Sequence, residues 1–168
     1  FKLSPNWVAM LQAASSWTRA LDCSSATGQA YSGQLRREGR HFTQSTEYLD
    51  VSPGFATQAG FVSRTDIRSV AQELKYLFRP RGETLFAWGP SLGGSAIWDH
   101  DGTRLDWEVE AGINWELRRQ TTIGVFYRPG RERLRPDDHP ELSKSHDFAT
   151  REYGVSFNSQ YVSALTFT

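Results

Sequence analysis

The strongest constraint on the fold is an unbroken alternation of apolar and polar residues between Arg104 and Arg118. The odd-numbered positions carry the apolar side chains of Leu105, Trp107, Val109, Ala111, Ile113, Trp115 and Leu117. The even-numbered positions are charged, polar or glycine. Successive side chains of a β-strand point to opposite faces, so this period of two predicts a strand with one apolar and one polar face.

The preceding segment, Phe86–Trp98, alternates in the same way, and a turn signal separates the two segments. Asp101-Gly102 is typical of a two-residue hairpin turn in which both residues have positive φ. Such a turn would pair Trp88 with Trp115 and place the apolar residues of both strands on one side. A shift of one residue would destroy this agreement, so the pattern predicts the register as well as the hairpin.

Shorter alternations extend this prediction to the whole chain, and we find no convincing helix. The further predicted strands are Trp7–Trp17, Gly28–Arg37, His41–Asp50, Asp66–Phe78, Thr121–Arg128, Thr150–Asn158 and Tyr161–Thr168. We therefore expect an all-β chain, an antiparallel up-and-down meander of about eight or nine strands. Residues 1–168 would be a single domain that forms a transmembrane β-barrel or part of one.

The connections predict which end of such a barrel is which. Long connections at Thr18–Thr27, Val51–Thr65 and Pro129–Ala149 alternate with short ones, with the tight turn near Asp101 as the exception. In an up-and-down meander, alternate connections lie at opposite ends. Short turns at one end and long loops at the other are typical of outer-membrane barrels.

Strand length and tryptophan spacing favour a location in the bacterial outer membrane. The alternating segments exceed the roughly 5–6 residues of strands in soluble proteins. Trp88 and Trp98 are ten positions apart on the apolar face, and Trp107 and Trp115 are eight apart. At about 3.3 Å per residue and a tilt near 40°, these spacings project to roughly 20–25 Å, close to the apolar band between two aromatic girdles. The four tryptophans are therefore candidate membrane-interface residues.

Charged residues define two further candidate sites. The first is an acidic ladder that would need water or cationic partners, in keeping with a polar lumen, and consists of Asp106, Glu108, Glu110 and Glu116. The second follows the long loop at 51–65 and consists of Arg64, Asp66 and Arg68. We expect the second group to form an ion-pair network that pins the loop at the rim, with a docking point for an anionic ligand as the alternative.

Other classes of function find less support. The 19 basic and 19 acidic residues balance, which argues against a nucleic-acid partner. The single cysteine, Cys23, excludes an internal disulfide and a Cys-rich zinc site. We predict no cofactor, metal or catalytic residue, although the acidic ladder would allow acid–base chemistry and Asp138, His139 and His146 could hold a metal. Electrostatic attraction would favour contact between the basic residues of loop 129–149 and anionic lipopolysaccharide.

Three stretches, at 48–55, 59–68 and 76–80, carry a resemblance, most specifically in the run GFVSRTDIR at 60–68. Here the chain resembles a family of uncharacterised bacterial proteins. These proteins join an N-terminal domain similar to a carbohydrate-binding module to a C-terminal β-barrel of the outer membrane. The resemblance implies that this chain is part of the barrel region, with the sugar-binding module as a possible neighbour, and it identifies no catalytic residue.

Three hypotheses follow for the function. The leading one is an outer-membrane barrel segment with a polar lumen and a structural, passage-forming or anchoring role. The second is a soluble β-barrel that binds a small hydrophobic or sugar ligand, with the four tryptophans buried in a core. The third is a membrane-embedded enzyme acting on lipid or glycan. An odd number of strands is unusual for bacterial barrels, so we expect the chain to be a fragment.

Overall fold

A computed structural model of the chain describes residues 2–19, 25–56, 64–136, 138 and 141–159. The described residues contain no helix and form one antiparallel sheet in which each strand pairs with the next along the chain. The strands are β1 (Lys2–Ser4), β2 (Trp7–Arg19), β3 (Ser25–Glu38), β4 (Phe42–Val51), β5 (Ile67–Tyr76), β6 (Leu85–Trp98), β7 (Arg104–Leu117), β8 (Thr121–Leu134) and β9 (His146–Asn158). The predicted all-β meander is confirmed.

The sheet is open among the described residues, because β1 and β9 are its two edges. This open sheet is consistent with a partial barrel. Strands β2 to β9 have 10 to 14 residues, longer than the roughly 5–6 of ordinary soluble sheets. The short strand Lys2–Ser4 was not predicted, and the predicted strand Tyr161–Thr168 lies outside the described residues.

Two of the predicted long connections are shorter than expected. Strand β2 continues to Arg19 and β3 begins at Ser25, so both ends of the predicted loop Thr18–Thr27 are strand. Similarly, β8 continues through Pro129, which pairs with Arg151, and β9 begins at His146, so both ends of the predicted loop Pro129–Ala149 are strand. The predicted loop is shorter because Pro129 and the charged residues after it continue β8, where Arg131 and Arg133 form ion pairs with Asp147 on β9.

The β6–β7 hairpin has the predicted register but a different turn. Trp88 lies opposite Trp115, and the other predicted pairs of the two strands are also present. The turn has three residues rather than two, because Asp99 N donates to Thr103 O at 3.0 Å. Only Gly102 of these three turn residues has a positive φ, +87°. A left-handed glycine is the usual ending of a three-residue hairpin loop.

A β-bulge compensates for the additional turn residue. Beside the turn Trp98 pairs with Arg104, whereas one step further Ile97 pairs with Asp106, so Leu105 has no partner opposite it. The bulge restores the predicted register for the rest of the hairpin. Because a bulge reorients the side chain of the additional residue, the alternation fails at this one position.

Leu105 was predicted on the apolar face, and this is wrong. Its side chain is 2 % exposed and packs with Val51 and Ile67 in the one cluster of buried apolar residues found among the described residues. Ala30 and Phe55 pack against the same cluster. The cluster lies under the long β4–β5 connection, at the end of the sheet that the long connections share. The small core of this sheet therefore sits at one rim and supports a loop.

The pairing register divides the side chains of the sheet into two faces. The face that carries Leu92 and Val109, called the apolar face below, keeps many large apolar side chains exposed: Leu11, Trp17, Tyr31, Tyr48, Val70, Tyr76, Leu92, Val109, Ile113, Val125, Tyr127, Tyr153, Val155 and Phe157. The opposite, polar face carries the acidic ladder. Its carboxylates are Glu38, Glu47, Glu73, Asp106, Glu108, Glu110, Glu116, Glu132 and Glu152, and its cations are Lys2, Arg36, Lys75 and Arg128.

Candidate functional site

The most elaborate polar site lies at the rim formed by the β4–β5, β6–β7 and β8–β9 connections. The β4–β5 connection folds onto the end of β3, where Ser52 N donates to Gln29 O at 2.9 Å. The contact is so close that a Cβ at Gly28 would lie 2.1 Å from the Phe55 backbone, so only glycine fits there. Residues 52–55 of the connection are thereby held against the sheet, and Arg64 and Asp66 at its other end contact the other loops.

Arg64, at the end of this connection, joins two other elements. Its guanidinium donates from Nε to Asp138 Oδ2 at 2.8 Å and from Nη2 to the carbonyl oxygen of Arg133 at 3.0 Å. Nη1 donates to Asp106 on β7. The Arg64 side chain is only 16 % exposed. A planar guanidinium with several fixed donors suits this arrangement better than the flexible point charge of lysine.

Asp66 and His100 form the centre of the rim site. Asp66 Oδ1 accepts a hydrogen bond from the His100 amide at 3.2 Å and lies 2.8 Å from Nδ1 of the ring. The other ring nitrogen, Nε2, lies 3.0 Å from Asp50 Oδ1. With a carboxylate at each nitrogen, the ring donates on both sides when it carries its second proton. Asp66 itself precedes β5 with a φ of +57°, so it is not the first residue of the strand as predicted.

Arg135 and Asp138 complete the rim. Arg135 is 8 % exposed, and its Nε and Nη2 donate to the two oxygens of Asp138 at 2.9 and 3.2 Å. Burial raises the pKa of the Asp138 carboxyl, but hydrogen bonds from Arg135 and Arg64 outweigh it and leave the pKa below its ordinary value of 3.8. Burial also lowers the pKa of Arg135, but the bond to Asp138 leaves it above its ordinary value. Both groups are held in their charged forms.

The three predicted residues Arg64, Asp66 and Arg68 are linked through other side chains, with Arg68 joined to the rim by Asp50, which also contacts His100. Arg64 and Asp66 both join the rim, and Arg135 Nη1 lies 3.7 Å from Asp66 Oδ2. Arg68 is on the apolar face opposite Trp98, where its Nε lies 3.2 Å from Asp50 Oδ2. The predictions missed the roles of His100 and Arg135. A signal for His100 was present, since its turn lies at the same end of the meander as the long loop.

The acidic ladder has partial counter-charge from a neighbouring strand. Arg128 on β8 donates from Nε and Nη2 to Glu110 and from Nη1 to Glu152 at 2.9 Å. Asp106 is bound by Arg64 at the rim, and Glu116 lies on the same face near the short-turn end, opposite Ala87. Glu108 and Glu110 line a hollow of about 270 Å³ to which five consecutive strands, β4 to β8, contribute residues. Over these five strands the polar face thus forms a hollow lined by acidic side chains and Arg128.

All six tryptophans lie on the apolar face. The four predicted ones are joined by Trp7 and Trp17 on β2, which have the same spacing as Trp88 and Trp98 and could have been found by that signal. Near the short turns the aromatic rings form a row, with ring centroids 4.7 Å apart for Tyr76 and Phe78 and 4.6 Å apart for Phe78 and Trp88.

Comparisons with known proteins find no match. No protein-family model fits the chain, and neither a curated protein nor a solved structure is significantly similar to it. The described part of the chain has no helix long and apolar enough to cross a membrane. Function has to be inferred from the two faces and the rim.

The charged side chains of the rim are engaged mainly with one another. At the rim, Asp106 and Asp138 accept hydrogen bonds from arginines, Asp66 Oδ1 is engaged by His100, and Asp66 Oδ2 lies 3.7 Å from Arg135 Nη1. Among the residues the structure describes, no three His, Cys, Asp or Glu side chains are placed to hold a metal. His139, one of the three residues considered for a metal site, lies outside the described ranges, and Asp138 is bound to Arg64 and Arg135.

Proposed function

We propose that this chain forms part of the wall of a β-barrel in the bacterial outer membrane, with its apolar face toward lipid and its polar face toward a hydrated interior. The observation that carries the proposal is the exposed apolar face, which continues across β2 to β9 and contains all six tryptophans. Exposed apolar patches on soluble monomers are usually limited to a few hundred Å², and larger ones mark contact with a membrane or a protein.

The distribution of charge supports the same orientation. The polar face carries nine carboxylates, which would be costly in a dry core but are accommodated by water and by cations such as Arg128. In the middle of β6 and β7, both of which the structure describes in full, the apolar face carries Pro90, Leu92, Ala111 and Ile113. No charged side chain lies among them. A barrel wall has this division between a lipid side and an aqueous side.

In this proposal the rim network holds the long loops over one end of the wall. The role is structural, forming a passage or anchoring an attached domain, and the outer-membrane lipids are the partners. The soluble barrel is the competing function, but it would need the tryptophan face to be the interior. In the structure Leu92, in the middle of that face, is 49 % exposed.

Neighbouring cysteines on β7 test the proposal. In a Cys23→Ser background, Val109→Cys probes the apolar face and Glu108→Cys, one position away, is the matched control on the polar face. Each variant is refolded with phosphatidylcholine vesicles and labelled with the same environment-sensitive fluorophore. We expect nitroxides on the acyl chains to quench the label at position 109 and a water-soluble quencher to reach the label at 108. Folding without lipid, with the label at 109 protected from both quenchers, would instead establish the soluble barrel.

A further inference from the structure

The arginines of the apolar face are concentrated at one end. Arg151 lies within β9, opposite Pro129, whereas the basic residues near the long connections are Arg19, Arg68, Arg104, Arg131 and Arg133. In the proposed orientation these side chains lie at the level of the lipid headgroups or just above the apolar band. Water would solvate arginines at any position on the rim, so solvation alone does not account for their concentration on the lipid side.

Three of these arginines meet at one site on β7, β8 and β9. Arg131 Nη2 and Arg133 Nε lie 2.8 and 2.7 Å from the two oxygens of Asp147. Arg104 joins them across a cavity of about 190 Å³ that is also lined by Leu105 and Trp107. Its guanidinium lies 6.0 Å from the centre of the Trp107 ring, and no carboxylate of the described residues is within 4 Å of it. The site thus has three guanidinium groups against one carboxylate.

The excess positive charge of this site and the shape of its cavity fit a phosphate group. A phosphate monoester carries a charge of about −1.5 to −2 near neutral pH and offers several acceptor oxygens. Arginine binds such oxygens with paired, fixed donors, which makes it the preferred side chain for phosphate recognition. Asp147 already orients Arg131 and Arg133, while their remaining donors and Arg104 are available around the cavity.

The neighbouring tryptophan identifies the source of the phosphate. Trp107 pairs with Arg131 and belongs to the tryptophans near the long-connection end of the apolar face. Tryptophan is favoured at the boundary between acyl chains and headgroups, so a ligand at this site would place its phosphate beside the arginines and its chains along the strands below. A soluble phosphate would gain nothing from that apolar surface.

We infer that Arg104, Arg131 and Arg133 bind the phosphate of an anionic outer-leaflet lipid, with Trp107 beside its acyl chains. This inference rests on the proposed function, because it requires the apolar face to contact lipid. The site is a specific contact for one headgroup, and it would fix the vertical position of the wall in the membrane.

The test compares vesicles with and without a phosphorylated lipid. The chain is refolded with phosphatidylcholine alone or with phosphatidylcholine containing lipid A, and bound lipid A is measured after extraction into detergent. We expect the double variant Arg131→Gln, Arg133→Gln to bind lipid A at least tenfold more weakly, whereas Arg128→Gln, on the polar face, should bind it as the unsubstituted chain does. Equal binding by the double variant would overturn the inference.

A second variant, Asp147→Asn, is expected to change lipid A binding in the opposite direction, and this measurement does not require the double variant to fold. Asp147→Asn removes the one carboxylate found at the site among the described residues, so we expect it to bind lipid A several-fold more tightly and to lose this gain at high salt. Unchanged or weaker binding by Asp147→Asn would also overturn the inference. The unsubstituted chain is tested with inorganic phosphate as well, and competition by millimolar phosphate as effective as that by lipid A would replace the lipid with a free anion.

Failure of the inference is distinguishable from failure of the proposed function. A chain that inserts into phosphatidylcholine but shows no preference for lipid A would keep the barrel wall and lose the phosphate site. A chain that folds without associating with either kind of vesicle would lose both.

Discussion

The Nε atom of Arg64 lies 2.8 Å from Oδ2 of Asp138, although 74 residues separate the two in the chain. This contact joins the β4–β5 connection directly to the β8–β9 connection, across four intervening strands. Two loops that leave the sheet far apart therefore form one rim, and Arg64 is the residue that holds them together.

Arg64→Ala is expected to open the rim. The substitution removes three hydrogen bonds and leaves Asp106 and Asp138 partly buried without this partner, at an expected cost of about 1–3 kcal/mol. The measurement is cleavage of the β4–β5 connection by a protease, together with the unfolding midpoint in detergent. Arg36→Ala is the control, because the ion pair of Arg36 with Glu38 is 55 and 64 % exposed and should contribute at most about 1 kcal/mol. Equal cleavage of the two variants would contradict the role of Arg64.

The rim is expected to loosen in acid through Asp138. An aspartate in the unfolded chain titrates near 3.9, and in the folded chain the pKa of Asp138 is lower. Its contribution to folding is therefore fully present above about pH 5 and is lost as the pH falls through the folded pKa.

The measurement for this prediction is protease sensitivity of the loops between pH 7 and pH 2, with a protease active across that range. Asp138→Asn should flatten the acid-dependent part of the profile. Glu83→Gln is the matched control, since its side chain is 90 % exposed. If Asp138→Asn opens with the same pH profile as the unsubstituted chain, another group controls the rim.

Leu105→Ala is expected to be far more destabilising than Leu92→Ala, although both replace a leucine on neighbouring strands. Leu105 is buried in the cluster under the loop, where a cavity would cost about 2–5 kcal/mol. Leu92 is half-exposed on the apolar face, and detergent would cover the smaller side chain as well. Urea unfolding of the two variants in detergent measures the difference. A larger loss for Leu92→Ala would place the true core on the apolar face.

Gln120→Gly is expected to stabilise the turn between β7 and β8. Arg119 and Gln120 have φ values of +57° and +53°, the left-handed conformation that two-residue hairpin turns require and that glycine adopts without strain. The gain should be about 1 kcal/mol, reduced by the greater freedom of glycine in the unfolded chain. The unfolding midpoint is the measurement, and Gly102→Ala, at φ +87°, should lower it in the reverse experiment.

Much of the fold was predictable because it depends on local pattern. The alternation from Arg104 to Arg118 determined the strand and its two faces, and the turn signal at Asp101-Gly102 added the pairing of Trp88 with Trp115, since a shift by one residue would oppose apolar to polar sides. The same pattern indicated the tryptophan face. Trp7 and Trp17 on β2 have the ten-residue spacing of Trp88 and Trp98 and lie on this face as well.

Only the tertiary structure decided the position of the bulge and the contacts between residues that are far apart in the sequence. A bulge moved Leu105 from one face to the other, because the turn took three residues instead of two. Asp66 met His100, and Arg64 met Asp138, because the meander brings the ends of distant strands to one rim. Periodicity describes each strand in isolation, so it specified the two faces of the sheet. It carries no information on which loops meet, because that depends on how the strands are arranged in space.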